Sequence, residues 1–319
     1  MDNFATQQKK DKVMLAIGVV ALVIFVLLIV LMYAHGPYSR TDDISQPVVH
    51  TIPTKIKISS DLVLSAKAAV VWDMKNKRFI YEKNKDEVLP LASLAKLMTA
   101  LTATELLPKQ STITLVQKYL GDDTKDIGLL ANENWNADDL LALTLISSSN
   151  DGAKAIASAA GAFLSNSRSI DPRVAFLQNL NEKAVKIGLD STHFYNESGL
   201  DLNLEQSGAY GNAKDVVILM DYILKNHPEL LTPTTNARTL ISSQDAVHSV
   251  KNTNIAVEQI PGALGSKTGY TDLAQGNLAV AFSPGLEGPY IAVVLGSTYE
   301  GRFEDINSLI EATLKATHE

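Results

Sequence analysis

Apolar and polar positions divide the chain into an unbroken apolar run, a polar stretch, and a long globular portion whose period changes twice. Val13 to Tyr33 contains no charged residue. A helix rises about 1.5 Å per residue, so ~20 apolar residues cross the hydrocarbon core of a bilayer, and residues 13–33 are expected to form a transmembrane anchor. The apolar region of a cleaved secretory signal is shorter, about 7–15 residues, and only a weak small-x-small pattern, Ala34-His35-Gly36, follows this run. Lys9, Lys10 and Lys12 precede the run, whereas Arg40, Asp42 and Asp43 follow it. Positive charge is retained on the cytoplasmic side. The expectation is a single-pass protein of the cell membrane, with residues 1–12 a cytoplasmic tail and the rest extracytoplasmic. Gly36, Pro37, Pro47 and Pro53, with no apolar period from Ser39 to Gln46, make 34–60 a linker.

The globular portion, 61–319, opens on strands. Ala68 to Trp72 is apolar and β-prone, Asp73-Met74-Lys75-Asn76 is turn-like, and Arg78 to Tyr81 resumes as a strand. The period then becomes helical. Leu91 to Leu107 has no breaker before Pro108, and 137–164 predicts one or two helices around a polar break at Ser147 to Gly152. Phe176–Ile187 and Val216–Leu224 are amphipathic. The tail returns to strands over Gly265–Thr271, Asn277–Phe282 and Tyr290–Gly296, then closes on an amphipathic helix from Glu304 to Ala316. Strands at both ends with helices between predict an α/β fold of the α+β type. A single antiparallel sheet would form from the two chain ends, with a helical subdomain over about 91–250 inserted.

Composition removes several function classes. The net charge of -7, with no basic run after Lys12, argues against nucleic acid as a partner, because phosphate binding needs clustered Lys and Arg. With no cysteine there is neither a disulfide framework nor a thiolate metal site. His35, His50, His193, His227, His248 and His318 fall in no metal-ligand spacing, and no G-x-S-x-G elbow occurs. No metal or cofactor is expected. Asp122-Asp123 reads as a pair of solvated loop charges.

Three short patterns carry candidate chemistry. Ser93 and Lys96 lie three apart near a helix start, where hydroxyl and amine share a face and free backbone N–H groups favour developing negative charge. A serine hydroxyl needs a base, and a lysine can be one when its amine is neutral. About one S-x-x-K is expected by chance in a chain this long, so alone it reads as an exposed lysine beside a capping serine. Ser148-Ser149-Asn150 sits in the interhelical break, where capping is the plain alternative to chemistry. Lys267-Thr268-Gly269 lies on a predicted strand with Lys267 and Gly269 on one face, and Gly269 lets another backbone lie close. A regular period of two turns Thr268 away from that face, and a solvated edge-strand lysine is the plain alternative here.

In this order and setting, S-x-x-K, S-x-N and K-T-G match the signature of penicillin-binding proteins and serine β-lactamases. From about residue 60 to 316 the chain resembles the low-molecular-mass D-alanyl-D-alanine carboxypeptidases. Pro90 to Thr99, Ser149-Asn150-Asp151, Thr192-His193-Phe194, Gly199-Leu200-Asp201 and Lys267 to Thr271 add to the resemblance. The resemblance implies a penicillin-binding, serine β-lactamase-like fold whose substrate is the D-Ala-D-Ala end of a peptidoglycan stem peptide, with β-lactams as inhibitors. It implies Ser93 as nucleophile, Lys96 as base, Ser148 and Lys267 passing the proton to the leaving amine, and Asn150 holding the substrate amide. The same likeness implies an oxyanion hole from the N–H groups of Ser93 and Tyr270, substrate contacts at Thr268 and Gly269, and Arg302 near the substrate carboxylate.

The likeness has departures. Relatives often carry an arginine between two asparagines ahead of the K-T-G strand, whereas here the triplet is Asn252-Thr253-Asn254. A carboxylate clamp would then be weaker or built differently, which brings forward an endopeptidase acting on cross-links. Many relatives also carry a C-terminal β-domain and an amphipathic tail helix, whose membrane role the N-terminal helix is expected to take over. A β-lactamase of the most similar class would use a Glu-x-x-x-Asn loop, but Glu197 plus four is Asp201 and Glu205 plus four is Ala209. A non-catalytic wall-binding protein would have no need of Lys96.

Overall fold

The computed structural model describes residues 2–34, 57–121, 128–164, 171–285 and 288–318. Most of the expected linker, and Asp122-Asp123, lie outside the described residues. Two compact units are present, Met1–Thr54 and Lys55–Glu319. In the first, helix α1 (Asp2–Ala34) is continuous. Among the described residues no helix is long and apolar enough to cross a membrane. The side chains described in α1 are those of 14 and 17–32, and they are exposed.

The second unit begins with strands β1 (Ala68–Asp73) and β2 (Arg78–Lys83). Asp73 closes the turn between them by accepting from the Asn76 N–H at 3.0 Å and its Nδ2 at 2.7 Å, an Asx device that fixes the hairpin. Short strand β3 (Leu89–Pro90) leads through a 3-10 turn at Ala92–Leu94 into helix α2 (Ala95–Leu106). A small hairpin, β4 (Thr112–Thr114) and β5 (Asn134–Asn136), precedes helices α3 (Ala137–Ser147), α4 (Asn150–Leu164) and α5 (Pro172–Lys186). Next come β6 (His193–Phe194), β7 (Ala209–Gly211) and helix α6 (Ala213–Asn226). A hairpin of β8 (Arg238–Ser242) and β9 (Val247–Lys251) follows. The chain then runs through β10 (Ala263–Thr271), β11 (Gln275–Phe282), β12 (Tyr290–Ser297) and helix α7 (Gly301–His318).

The main sheet has the order β10-β11-β12-β1-β2 and is antiparallel throughout. The two ends of the globular unit therefore build one sheet, as the pattern predicts, and β10 is left as an edge. Period-two alternation sorts the side chains into two cores. Ala68, Val70, Ile291, Val293 and Leu295 pack with the helical region, whereas Ala69, Val71, Ala292 and Val294 pack with Phe303, Ile306 and Leu309 of α7. Each fully buried Val, Leu or Ile contributes about 1.5–3 kcal/mol relative to an exposed one, so the central strands are held from both faces. Nine residues of α2, Ala95 to Ala103, are buried in sequence. That central position makes α2 a rigid base for whatever its first turn carries.

Several short strands are not foreseen by the sequence pattern, and one helix and one hairpin depart from it for visible reasons. The α-helix starts at Ala95 and not Leu91, because Ala92 takes φ 47° and a 3-10 turn follows it. The β8–β9 hairpin has no Asn-Gly or Asp-Gly turn and leaves Leu240 and Val247 exposed, which hides it from a periodicity reading.

Candidate active site

Ser93 sits in the 3-10 turn that leads into α2, and Lys96 follows on the first turn of the helix proper. Their spacing brings Lys96 Nζ to 2.8 Å from Ser93 Oγ. The ammonium end of Lys96 is enclosed and also reaches Asn150 Oδ1 at 2.8 Å and the Ser198 carbonyl at 2.9 Å. Both of those oxygens only accept. A neutral Lys96 amine would donate its N–H bonds to such oxygens and could turn its lone pair to Ser93, which has a proton to give.

The break between α3 and α4 resolves the ambiguity of Ser148-Ser149-Asn150. Ser149 is the cap, its Oγ accepting from the Gly152 N–H at 2.9 Å. Ser148 ends α3 in the left-handed region, φ 61° and ψ 31°, a conformation that costs an L-residue about 1 kcal/mol or more. That turn aims Ser148 Oγ at Lys267, whose Nζ donates to it at 2.7 Å and to the Thr268 carbonyl at 2.8 Å. Lys267 is buried and its pKa is lowered well below the ordinary lysine value, first by loss of hydration and then by the charges of Lys96 and Arg302.

Gly269 shares the face of Lys267 as expected. A Cβ there would come within 2.9 Å of the Leu91 carbonyl oxygen and 3.2 Å of the Ser93 nitrogen, so the strand lies against the Ser93 backbone only because position 269 lacks a side chain. The Ser266 N–H points off the free edge of β10 to Thr234 Oγ1 at 2.9 Å. Alternation along the strand points the Thr268 and Tyr270 N–H groups off the same edge. Thr268 is turned from Lys267, and its Oγ1 lies 2.6 Å from Thr253 Oγ1. Thr253 in turn donates its N–H to the Ile146 carbonyl, two residues before Ser148. Asn252 and Asn254 are buried and fix this segment, the latter donating to Ser266 Oγ at 3.0 Å.

Arg302, on the first turn of α7, is 3% exposed and donates Nη1 to the Gly269 carbonyl at 3.0 Å. Its guanidinium lies over the Tyr299 ring at 4.3 Å. Tyr270, 41% exposed, meets Tyr299 edge-on with centroids 5.1 Å apart.

The structure thus brings Ser93, Lys96, Ser148, Asn150, Lys267, Thr268, Gly269 and Tyr270 to one place, with Arg302 behind β10. Sequence reasoning missed the part of Ser198, whose carbonyl takes Lys96, because a backbone oxygen leaves no residue-type signal. The adjacent Gly199, with φ +75° and a would-be Cβ only 1.9 Å from the Ala92 carbonyl oxygen, was the available clue. Glu197 is buried and its carboxylate is held by Arg173 Nη2 at 2.7 Å. His193 lies edge-on to Tyr195 with ring centroids 4.6 Å apart. Among the described residues no three His, Asp or Glu converge to hold a metal.

Comparison with known proteins identifies the family. Residues 55–298 match the family model described as D-alanyl-D-alanine carboxypeptidase. The chain belongs to that family. This family member is 30% identical over 261 residues to the D-alanyl-D-alanine carboxypeptidase DacF of Bacillus subtilis, covering 80% of this chain and 64% of that protein. The chain thus spans less than two thirds of that relative's length. A D-alanyl-D-alanine endopeptidase of Haemophilus influenzae is 30% identical over 216 residues, covering 67% of this chain and 69% of its own. The penicillin-binding protein D2 of Listeria monocytogenes, solved in an ampicillin-bound form, superposes with a TM-score of 0.68 at 29% identity. That match covers 80% of this family member and 100% of the Listeria chain, and the penicillin-binding α/β fold is shared.

Proposed function

We propose that this member of the D-alanyl-D-alanine carboxypeptidase family removes the terminal D-alanine from peptidoglycan stem peptides through an acyl-enzyme on Ser93. The observation that carries the proposal is Lys96 Nζ held 2.8 Å from Ser93 Oγ between two acceptor-only oxygens. Ser93 Oγ attacks the carbonyl between the two D-alanines while its proton passes to Lys96. Negative charge on the carbonyl oxygen is met by the Ser93 and Tyr270 N–H groups, the donor pair that acyl transfer requires. The C–N bond then breaks, and the leaving amine takes its proton through Ser148 from the Lys96–Lys267 pair. Water hydrolyses the ester, returning Ser93. Asn150 orients the substrate amide, and Thr268 and Gly269 offer the β10 edge to the extended peptide. A β-lactam acylates Ser93 in the same way. Release of free D-alanine from a stem pentapeptide, absent with Ser93→Ala, tests the reading; an intact pentapeptide would overturn it.

A second reading is favoured by one observation, the hydroxyl of Thr253 bonded to Thr268 at the free edge of β10. A neutral hydroxyl there gives a free terminal carboxylate no cation to pair with, and an endopeptidase cutting cross-links needs none. Cleavage of a cross-linked dimer faster than of the pentapeptide would select this reading.

The proposal includes the setting of the enzyme. The sequence run 13–33 carries no charge, and about 20 apolar residues are what a bilayer crossing requires; this supports an anchor there, with 1–12 cytoplasmic, 34–60 the linker and 61–319 the extracytoplasmic catalytic domain. Protease added to intact cells should remove the catalytic domain from a membrane-bound N-terminal fragment; a fully soluble or fully protected chain would contradict the anchor.

A further inference from the structure

We infer that Arg302 is a positioning residue for acylation, holding the Gly269 carbonyl from behind the strand so that the Tyr270 N–H is aimed into the cleft and strengthened as a donor. The inference rests on the acyl-enzyme reading, in which that N–H meets the developing oxyanion. The Gly269 C=O and the Tyr270 N–H belong to one trans peptide group and point in opposite directions. Arg302 Nη1 grips the carbonyl end at 3.0 Å. The other end faces the free edge of β10, as the Ser266 N–H does toward Thr234. A cationic donor on an amide oxygen draws electron density from the amide nitrogen, so its N–H becomes a stronger donor.

The arginine is built in rigidly and against two unfavourable terms. It is 3% exposed, wedged between the Tyr299 ring at 4.3 Å and the Phe303 ring at 4.7 Å. Its Nε is buried with no hydrogen-bond partner. It occupies the N-terminal turn of α7, the positive end of the helix dipole, where a cation is disfavoured. One turn on, Asp305 accepts from the N–H groups of Ser65 and Ala66 and from Ser297 Oγ at 2.6–2.9 Å, which pins the start of the helix in place. Burying a charge at such a point destabilises the fold, yet its charge-assisted bond is directed at the peptide that ends in the Tyr270 N–H. The positive charge also lowers the Lys267 pKa, behind desolvation and the charge of Lys96.

The test uses the full chain in detergent, as wild type, Arg302→Gln and Arg302→Met, titrated with a fluorescent penicillin across pH. Gln can reach the carbonyl without charge, and Met fills the space with neither charge nor donor. Because loss of one whole oxyanion donor costs about 10²–10³-fold, the acylation step should slow about 10-fold in Gln and about 100-fold in Met. Affinity before acylation should hold, and the thermal midpoint should stay level or rise as the buried charge is removed. The acid limb of the rate profile should move to higher pH, because Lys267 keeps its proton longer without the neighbouring charge. A Met or Gln variant within about two-fold of wild type, or a slowdown residing wholly in initial binding with an unmoved acid limb, would overturn the inference. A wild-type chain that forms no adduct would instead overturn the acyl-enzyme reading beneath it.

Discussion

Ser148 Oγ accepts a hydrogen bond from Lys267 Nζ at 2.7 Å, joining the end of a helix to the middle of a strand 119 residues further along the chain. Ser148 makes this contact only because its backbone has turned into the left-handed region. Glycine adopts that conformation without penalty. Ser148→Gly should therefore leave stability unchanged or raise it by about 1 kcal/mol, measured by thermal or denaturant unfolding. It should slow penicillin acylation about 10²-fold, within the usual range for lost proton transfer. Fast acylation in a stable Ser148→Gly chain would remove Ser148 from the proton path.

Lys267 offers a test in pH. Its folded-state pKa lies below the ordinary lysine value, so between those two values the unfolded chain binds more protons than the folded one. Stability contributed through this group rises with pH across that window, and the full cost of the buried charge is felt below the folded-state pKa. Lys267→Met, similar in volume and uncharged, should stabilise the protein most at the acid end and abolish acylation. A uniform loss of stability at every pH would contradict the assigned direction.

Gly199 holds the loop that presents the Ser198 carbonyl to Lys96. Its φ of +75° and the 1.9 Å approach of a Cβ to the Ala92 carbonyl oxygen leave Gly199→Ala no unstrained arrangement. A loss of about 2–4 kcal/mol in unfolding free energy is expected, with slower acylation as the Lys96 anchor shifts. A neutral substitution would mean that the loop adjusts freely and does not locate Lys96.

The identity of residue 253 should set the preference between substrates. Thr253→Arg places a cation beside Thr268, where a carboxylate-ended peptide on the β10 edge would finish. Pentapeptide cleavage should rise about 10-fold relative to cross-link cleavage, the scale of one charge-assisted bond. An unchanged ratio of the two rates would show that the edge does not read the terminal carboxylate.

Much of this arrangement was legible in the sequence, for physical reasons that differ by residue. Lys96 and Lys267 were readable from the resemblance carried by the order of the three patterns, since period alone leaves each as a plain surface lysine. The sheet built from both ends was readable from the return of period two at Gly265. The 3-10 turn before α2 was not, since an alanine at φ 47° carries no compositional signal. The resemblance singled out Ser148, but nothing in the sequence assigned the cap to Ser149, since the two identical residues are distinguished only by backbone conformation. The bond between Thr253 and Thr268, and the grip of Arg302 on Gly269, join segments that only the folded chain brings together.

The most direct test of the central claim is the intact mass of the full-length protein after incubation with a penicillin, followed from minutes to hours beside Ser93→Ala. The account predicts a lasting gain of one drug mass in the wild type and none in the alanine variant. An unmodified wild-type protein with intact drug would contradict Ser93 as a nucleophile, and an unmodified protein with rapidly consumed drug would make the chain a β-lactamase.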